Sequence, residues 1–129
     1  MPRSRKAGVV GGILVSLVCC VGVVLVLTST NFARGLYSNL VLDNREHYLD
    51  CEELPPLSEV ERVVKEHTDI FEDIKRVKPG FVYVEIDSTT CPGKADIVIS
   101  YGTHQDRLAI EAIIVDDTFF GVPYRLRNN

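Results

Sequence analysis

The stretch YGTHQDRLAIEAIIV, Tyr101 to Val115, decides how this chain folds, because it carries two periodicities at once. Leu108, Ile110, Ala112 and Ile114 alternate as a half-buried strand would, whereas Ala109, Ala112 and Ile113 fit a helix. Gly102-Thr103 supplies a helix start, with the Thr103 hydroxyl placed to cap the backbone N–H of Asp106. Alanine favours helix, and Asp116-Asp117 marks its end. The spacing therefore predicts a helix over residues 107–115.

Working outward, Asp96 to Tyr101 reads as a strand with Ile97 and Ile99 on its core side. Val122 to Arg127 reads as another, with Val122, Tyr124 and Leu126 inward. Phe81 to Asp87 alternates in the same way, placing Val82, Val84 and Ile86 on one face. Between the first two strands, Ser88 to Lys94 is a loop with a rigid Cys91-Pro92-Gly93 turn. Upstream, Val60, Val63, Val64, His67, Phe71, Ile74 and Lys78 follow the helical period. Ser58 with Glu61 suggests a capping box, Thr68-Asp69 a break and restart, and Pro79-Gly80 a stop. The order helix, strand, strand, helix, strand predicts an α+β fold, a small two-layer sandwich whose helices cover one face of a three-stranded sheet. The other face would carry Phe81, Tyr83, Glu85, Ser100, Arg125 and Arg127. A domain of about 73 residues buries little core and often needs a staple or a partner.

The rest of the chain differs in kind. Residues 7–28 read AGVVGGILVSLVCCVGVVLVLT without one charge, and they raise the mean hydropathy to +0.10. As a helix rising about 1.5 Å per residue, this run would cross a hydrocarbon layer of about 30 Å. Arg3, Arg5 and Lys6 crowd its N-terminal edge in residues 1–6. The positive-inside rule then makes it a signal-anchor with a cytoplasmic N-terminus and an extracytoplasmic C-terminal domain. Secretion after signal cleavage is the competing reading. A signal's apolar region usually runs only about 7–15 residues, and no good small-x-small cleavage site follows, so length favours the anchor. Gly8, Gly12, Ser16 and Cys20 recur every four residues, a seam through which two transmembrane helices would pack as a homodimer. The alternative is that glycine is simply frequent in membrane helices. Residues 29–56 read as a juxtamembrane connector in which Phe32, Leu36, Tyr37 and Leu40 could carry a helix into the membrane interface. Leu54-Pro55-Pro56 closes it, and the folded domain is placed at 57–129.

Composition excludes some functions. With 46% hydrophobic and 25% charged residues the chain is neither disordered nor of low complexity, and no internal repeat is visible. The net charge of −4, with the three N-terminal cations set aside, leaves an acidic remainder, so nucleic acid is not an expected partner. Cys51 and Cys91, an even pair in the exported part, predict a disulfide suited to an oxidising compartment. The rival use of Cys91 is as a reactive thiol beside Lys94, but no acid–base partners accompany it. The Gly93-Lys94 end of the 88–94 loop lacks the upstream glycine and the Ser or Thr of a phosphate loop. His47, His67 and His104 form no sequence-local metal set. His47 and Cys51 share a four-residue spacing, but two ligands do not make a zinc site. Neither a metal nor a cofactor is expected, and no catalytic residue is assigned.

One constellation points to binding. If the first and last strands are neighbours, Glu85 and Asp87 face Arg125 and Arg127, and the arginines with Phe81 and Tyr83 would dock an acidic or peptide ligand. Ordinary cross-strand charge pairing is the bland alternative. The expected protein is thus a single-pass, membrane-anchored chain whose partners are the lipid bilayer and a protein at the membrane. The rival readings are a small envelope thiol enzyme or redox protein using Cys91, and an accessory subunit of a membrane complex.

Overall fold

A computed structural model describes residues 30–129, so the 7–28 apolar run and its Gly8/Gly12/Ser16/Cys20 seam lie outside the described residues. Among the described residues no helix is long and apolar enough to cross a membrane. The region is α+β, with four helices and a three-stranded mixed sheet. Helix α1 is Thr30–Leu40, α2 is Leu57–Glu66 and α3 is Thr68–Arg76. Strands β1 (Tyr83–Asp87) and β2 (Asp96–Tyr101) precede α4 (His104–Ile114), and β3 (Tyr124–Asn128) follows it. Residues Tyr37–Asn129 form one compact unit.

The ambiguous stretch is a helix. The Thr103 hydroxyl accepts the Asp106 N–H at 3.2 Å, satisfying one free donor of the first turn. Ile110 and Ile114 turn inward. Asp116-Asp117 follows a backbone reversal at Val115, whose φ of 65° stops the helix. As anticipated, the upstream helix breaks before Thr68. His67 leaves helical geometry, and the Thr68 hydroxyl donates back to the carbonyls of Val64 and Lys65.

The expected Ser58–Glu61 capping box does not form. The backbone at 55–57 pairs with the 93–95 loop, Leu57 N–H to Gly93 and Ala95 N–H to Pro55. This pairing starts α2 at Leu57, with Pro56 at the cap and Ser58 already inside the helix. Gly93, with φ of 78°, is the residue that lets Lys94 N–H return to the Cys91 carbonyl in that loop.

In the sheet β2 is central, antiparallel to β1 and parallel to β3. The expectation that the first and last strands are neighbours is therefore corrected. The parallel β2–β3 pair needs a crossover, and α4 provides it. Register puts Ile97, Ile99, Tyr101, Tyr124 and Leu126 on the helix side, where they are fully or almost fully buried. Val60 and Val63 from α2, Phe71 and Ile74 from α3, and Ile110 from α4 complete this core.

Candidate functional site

Tyr83, Glu85 and Asp87 of β1, Asp96, Val98 and Ser100 of β2, and Arg125 and Arg127 of β3 share the sheet face turned away from the helices. The two ends of that face differ. At the Asp87–Asp96 end the face is covered. Arg125, only 8% exposed, donates to Asp87 at 2.7 Å and makes a two-pronged bond to Asp96, with one contact at 2.9 Å. Its long side chain thus reaches across β2, meeting Asp87 although the two outer strands are not adjacent. His47 completes the cluster. Leu49 N–H donates to His47 Nδ1 at 3.0 Å, which leaves Nε2 to carry the proton and donate to Asp96 at 2.8 Å.

Electrostatics follow from these contacts. Burial works against the charge of Asp96, but the bonds from His47 and Arg125 outweigh it and hold the carboxyl below the usual range. The Thr90 hydroxyl, Arg125 and the Thr89 hydroxyl pull Asp87 down further. The Arg125 guanidinium is held charged by its two carboxylates despite its burial. A cavity of about 200 Å³ opens beside the cluster, between residues 46–49, Leu54 and Cys91. Every polar group named here already has a partner. Both ring nitrogens of His47 are engaged, and the Thr89 and Thr90 hydroxyls point back to Asp87. None of these paired groups is left as a free general base or an activated nucleophile, although Glu46 and Tyr48 also line the cavity. The arrangement is a clamp.

The clamp has further members along the connector. Asp43, whose φ of 54° lies in the left-handed region, and then Arg45 and His47 each reach the domain. The Asp43 carboxylate takes His104 at 2.8 Å and Arg107 at 3.0 Å, while the Tyr101 hydroxyl donates to the Asp43 carbonyl. Burial, then the nearby Asp43 charge, push Tyr101 up to about 12. Arg107 also donates to Asn39 at 2.7 Å and to Glu111 at 3.1 Å. Arg45 exchanges both backbone hydrogen bonds with Leu126 on the outer edge of β3, and its side chain donates to the Tyr124 hydroxyl at 2.8 Å and to Asp117 at 2.7 Å. Cys51 and Cys91 stand bonded as a disulfide, Cα–Cα 5.4 Å, and Cys91 is buried. Lys94, the residue that would have activated a Cys91 thiol, instead donates to the Leu54 carbonyl at 2.7 Å. Residues 39–54 are therefore a strap along the sheet.

At the other end of the face, Tyr83 is 54% exposed, Phe81 is 62% exposed, and Glu85 and Arg127 stand in solvent. Lys78 lies over the Phe81 ring at 5.1 Å. Among the described residues neither Glu85 nor Arg127 makes an ion pair, and no backbone hydrogen bond reaches β1 from its outer side. A groove of about 120 Å³ runs beside that edge, lined by Val64, Phe71, Val84 and Ile86. Of the five residues singled out for binding, the structure thus brings Phe81, Tyr83, Glu85 and Arg127 to an exposed surface and sets Arg125 apart in the clamp.

The strap residues were not anticipated as a group. No local pattern marks them: Asp43 has a φ of 54°, and Arg45 and His47 reach opposite faces of the sheet, at Tyr124 and at Asp96. Among the described residues no three or more His, Cys, Asp or Glu side chains gather as a metal set, and His47 meets Asp96 rather than Cys51. No family model matches the chain, and neither the curated proteins nor the solved structures contain a significant match.

Proposed function

We propose that this chain is a single-pass membrane protein whose C-terminal domain stands outside the cytoplasm and binds another protein through the open end of its sheet. The observation that carries the binding half is the contrast within one sheet face. Charged groups at the Asp87–Asp96 end are mutually satisfied, whereas Phe81, Tyr83, Glu85 and Arg127 are left in water beside a bare strand edge. Exposed aromatics with an arginine are what interface centres enrich, and a free edge lets an extended partner segment add a strand to β1. The groove beside Val84 and Ile86 then accepts the segment's alternate side chains, and Arg127 on β3 is left to meet an acidic group on the partner where it lies over the sheet face. The membrane half rests on the 22 uncharged residues 7–28 and their basic flank. The Cys51–Cys91 bond supports it, since disulfides persist on the oxidising side of a membrane.

The test places a photo-cross-linking residue at Tyr83 of the full chain in its native membranes. The reading expects one dominant adduct, lost when Phe81 and Arg127 are both changed to alanine. Adducts that survive those changes, or none at all, would remove the binding surface. Protease added outside intact cells tests the topology separately: it should digest the domain, and a protected domain sinks the exported orientation.

A further inference from the structure

Helix α1 wears its apolar residues outward. Phe32, Leu36 and Leu40 repeat every four residues and Tyr37 lies beside them, so the four form one stripe along the helix. They are 49%, 49%, 75% and 57% exposed in the order Phe32, Leu36, Leu40, Tyr37. The other side of α1 presents Asn31, Arg34 and Ser38, while Asn39 at the stripe's edge accepts from Arg107. A helix end that leaves a continuous apolar stripe bare in water is unusual on a soluble domain. The stripe continues onto Val41 and Leu42, 63% and 45% exposed.

The uncharged run ends at Thr28, two residues before α1 begins. We propose that the stripe of Phe32, Leu36, Tyr37 and Leu40 lies in the interfacial layer of the bilayer, with α1 along the membrane plane. This rests on the reading of residues 7–28 as a membrane span. Geometry selects the in-plane arrangement. At a rise of about 1.5 Å per residue, an α1 standing along the membrane normal would lift Leu40 roughly 18 Å beyond the end of the run. The polar layer on each side of the hydrocarbon is only about 5–8 Å thick. Lying flat, all four side chains stay at the headgroup–acyl boundary, where Tyr is also well placed, and Arg34 faces the phosphates and water.

The chain contains no tryptophan, so single substitutions report depth without background. The full chain is reconstituted in phosphatidylcholine vesicles with lipids brominated either near the headgroup or deep in the acyl chain. Four variants are compared: Leu17→Trp, Arg34→Trp, Leu36→Trp and Leu40→Trp. The inference expects Leu36→Trp and Leu40→Trp to be blue-shifted and to lose most of their emission with the shallow bromines. Arg34→Trp should stay red and lose little, and Leu17→Trp should be quenched by the deep bromines. If Leu17→Trp is quenched but the two stripe positions are quenched no more than Arg34→Trp, the span stands and the in-plane helix is overturned. Blue-shifted stripe positions without lipid quenching also overturn it, because a second copy or another segment of the chain then covers the stripe. An unquenched Leu17→Trp overturns the span and this inference together.

Discussion

Replacing Arg125 by alanine is the most informative single change to this domain. The residue is 8% exposed, Asp96 beneath it is 2% exposed, and Asp87 lies 2.7 Å away. At about 3 Å and an effective dielectric near 20, one such charge pair is worth roughly 5 kcal/mol before desolvation is counted. Removing one partner of a buried pair leaves the other charge without compensation, and such changes cost about 3–5 kcal/mol. His47 still donates to Asp96, so the lower part of that range applies. For a domain this small, each kcal/mol moves the melting temperature by about 4 °C or more, so a drop of at least about 12 °C is expected. Arg127→Ala, on the same strand and face but exposed and without an ion pair, should melt within a degree or two of wild type. The assay is thermal unfolding of the full chain followed by near-ultraviolet circular dichroism. It also has a pH signature. The folded state holds the carboxyls of Asp87 and Asp96 below their usual range, so they contribute stability above about pH 4 that is lost as pH falls through their folded values. Without Arg125 that stabilisation is diminished, so wild type and variant should converge as the pH drops below about 4. An Arg125→Ala protein that melts like Arg127→Ala at pH 7 would refute the clamp, and Arg125 would then belong to the open binding surface.

Two further outcomes follow from the same strap. The Cys51–Cys91 bond closes a separation of 40 residues. Chain entropy assigns a loop of about 40 residues roughly 4 kcal/mol, so the Cys51→Ser/Cys91→Ser double variant should lose about that much in urea unfolding, whereas a loss under about 1 kcal/mol would mean the strap holds without it. The Tyr101 hydroxyl, raised to about 12, favours the protonated form when folded. Its contribution is fully present below about pH 10 and fades as pH climbs through about 12, by at most about 3 kcal/mol. Burial also raises Tyr124, so spectrophotometric titration should show more than one late tyrosinate, and Tyr101→Phe should remove the step at about 12. A step at about 12 that is undiminished in Tyr101→Phe would place it elsewhere.

Elements whose side chains follow one local period could be read from the chain alone. The β2 strand from Asp96 to Tyr101 and the α4 helix with its Thr103 cap needed only alternation, helical spacing and a hydroxyl three residues ahead of an amide. So did the break of the upstream helix beside Thr68, and the placing of Tyr83, Glu85 and Arg127 on one side of the sheet, whereas Phe81 lies in the turn before β1 rather than in the strand. The apolar 7–28 run belongs to the same category, because hydropathy over some twenty residues is a property of the chain itself. What only the tertiary structure decided is who stands next to whom. Strand order is not written in periodicity: β2 took the centre because the α4 crossover returns the chain parallel to it, and this separated β1 from β3. Arg125 and Arg127 are equivalent by pattern, and one became a buried clamp while the other stayed in water because the 46–49 segment covers only one end of the face. That segment in turn lies there because Asp43, Arg45 and His47 find Arg107, Tyr124 and Asp96, partners 49 to 79 positions away that no local window contains.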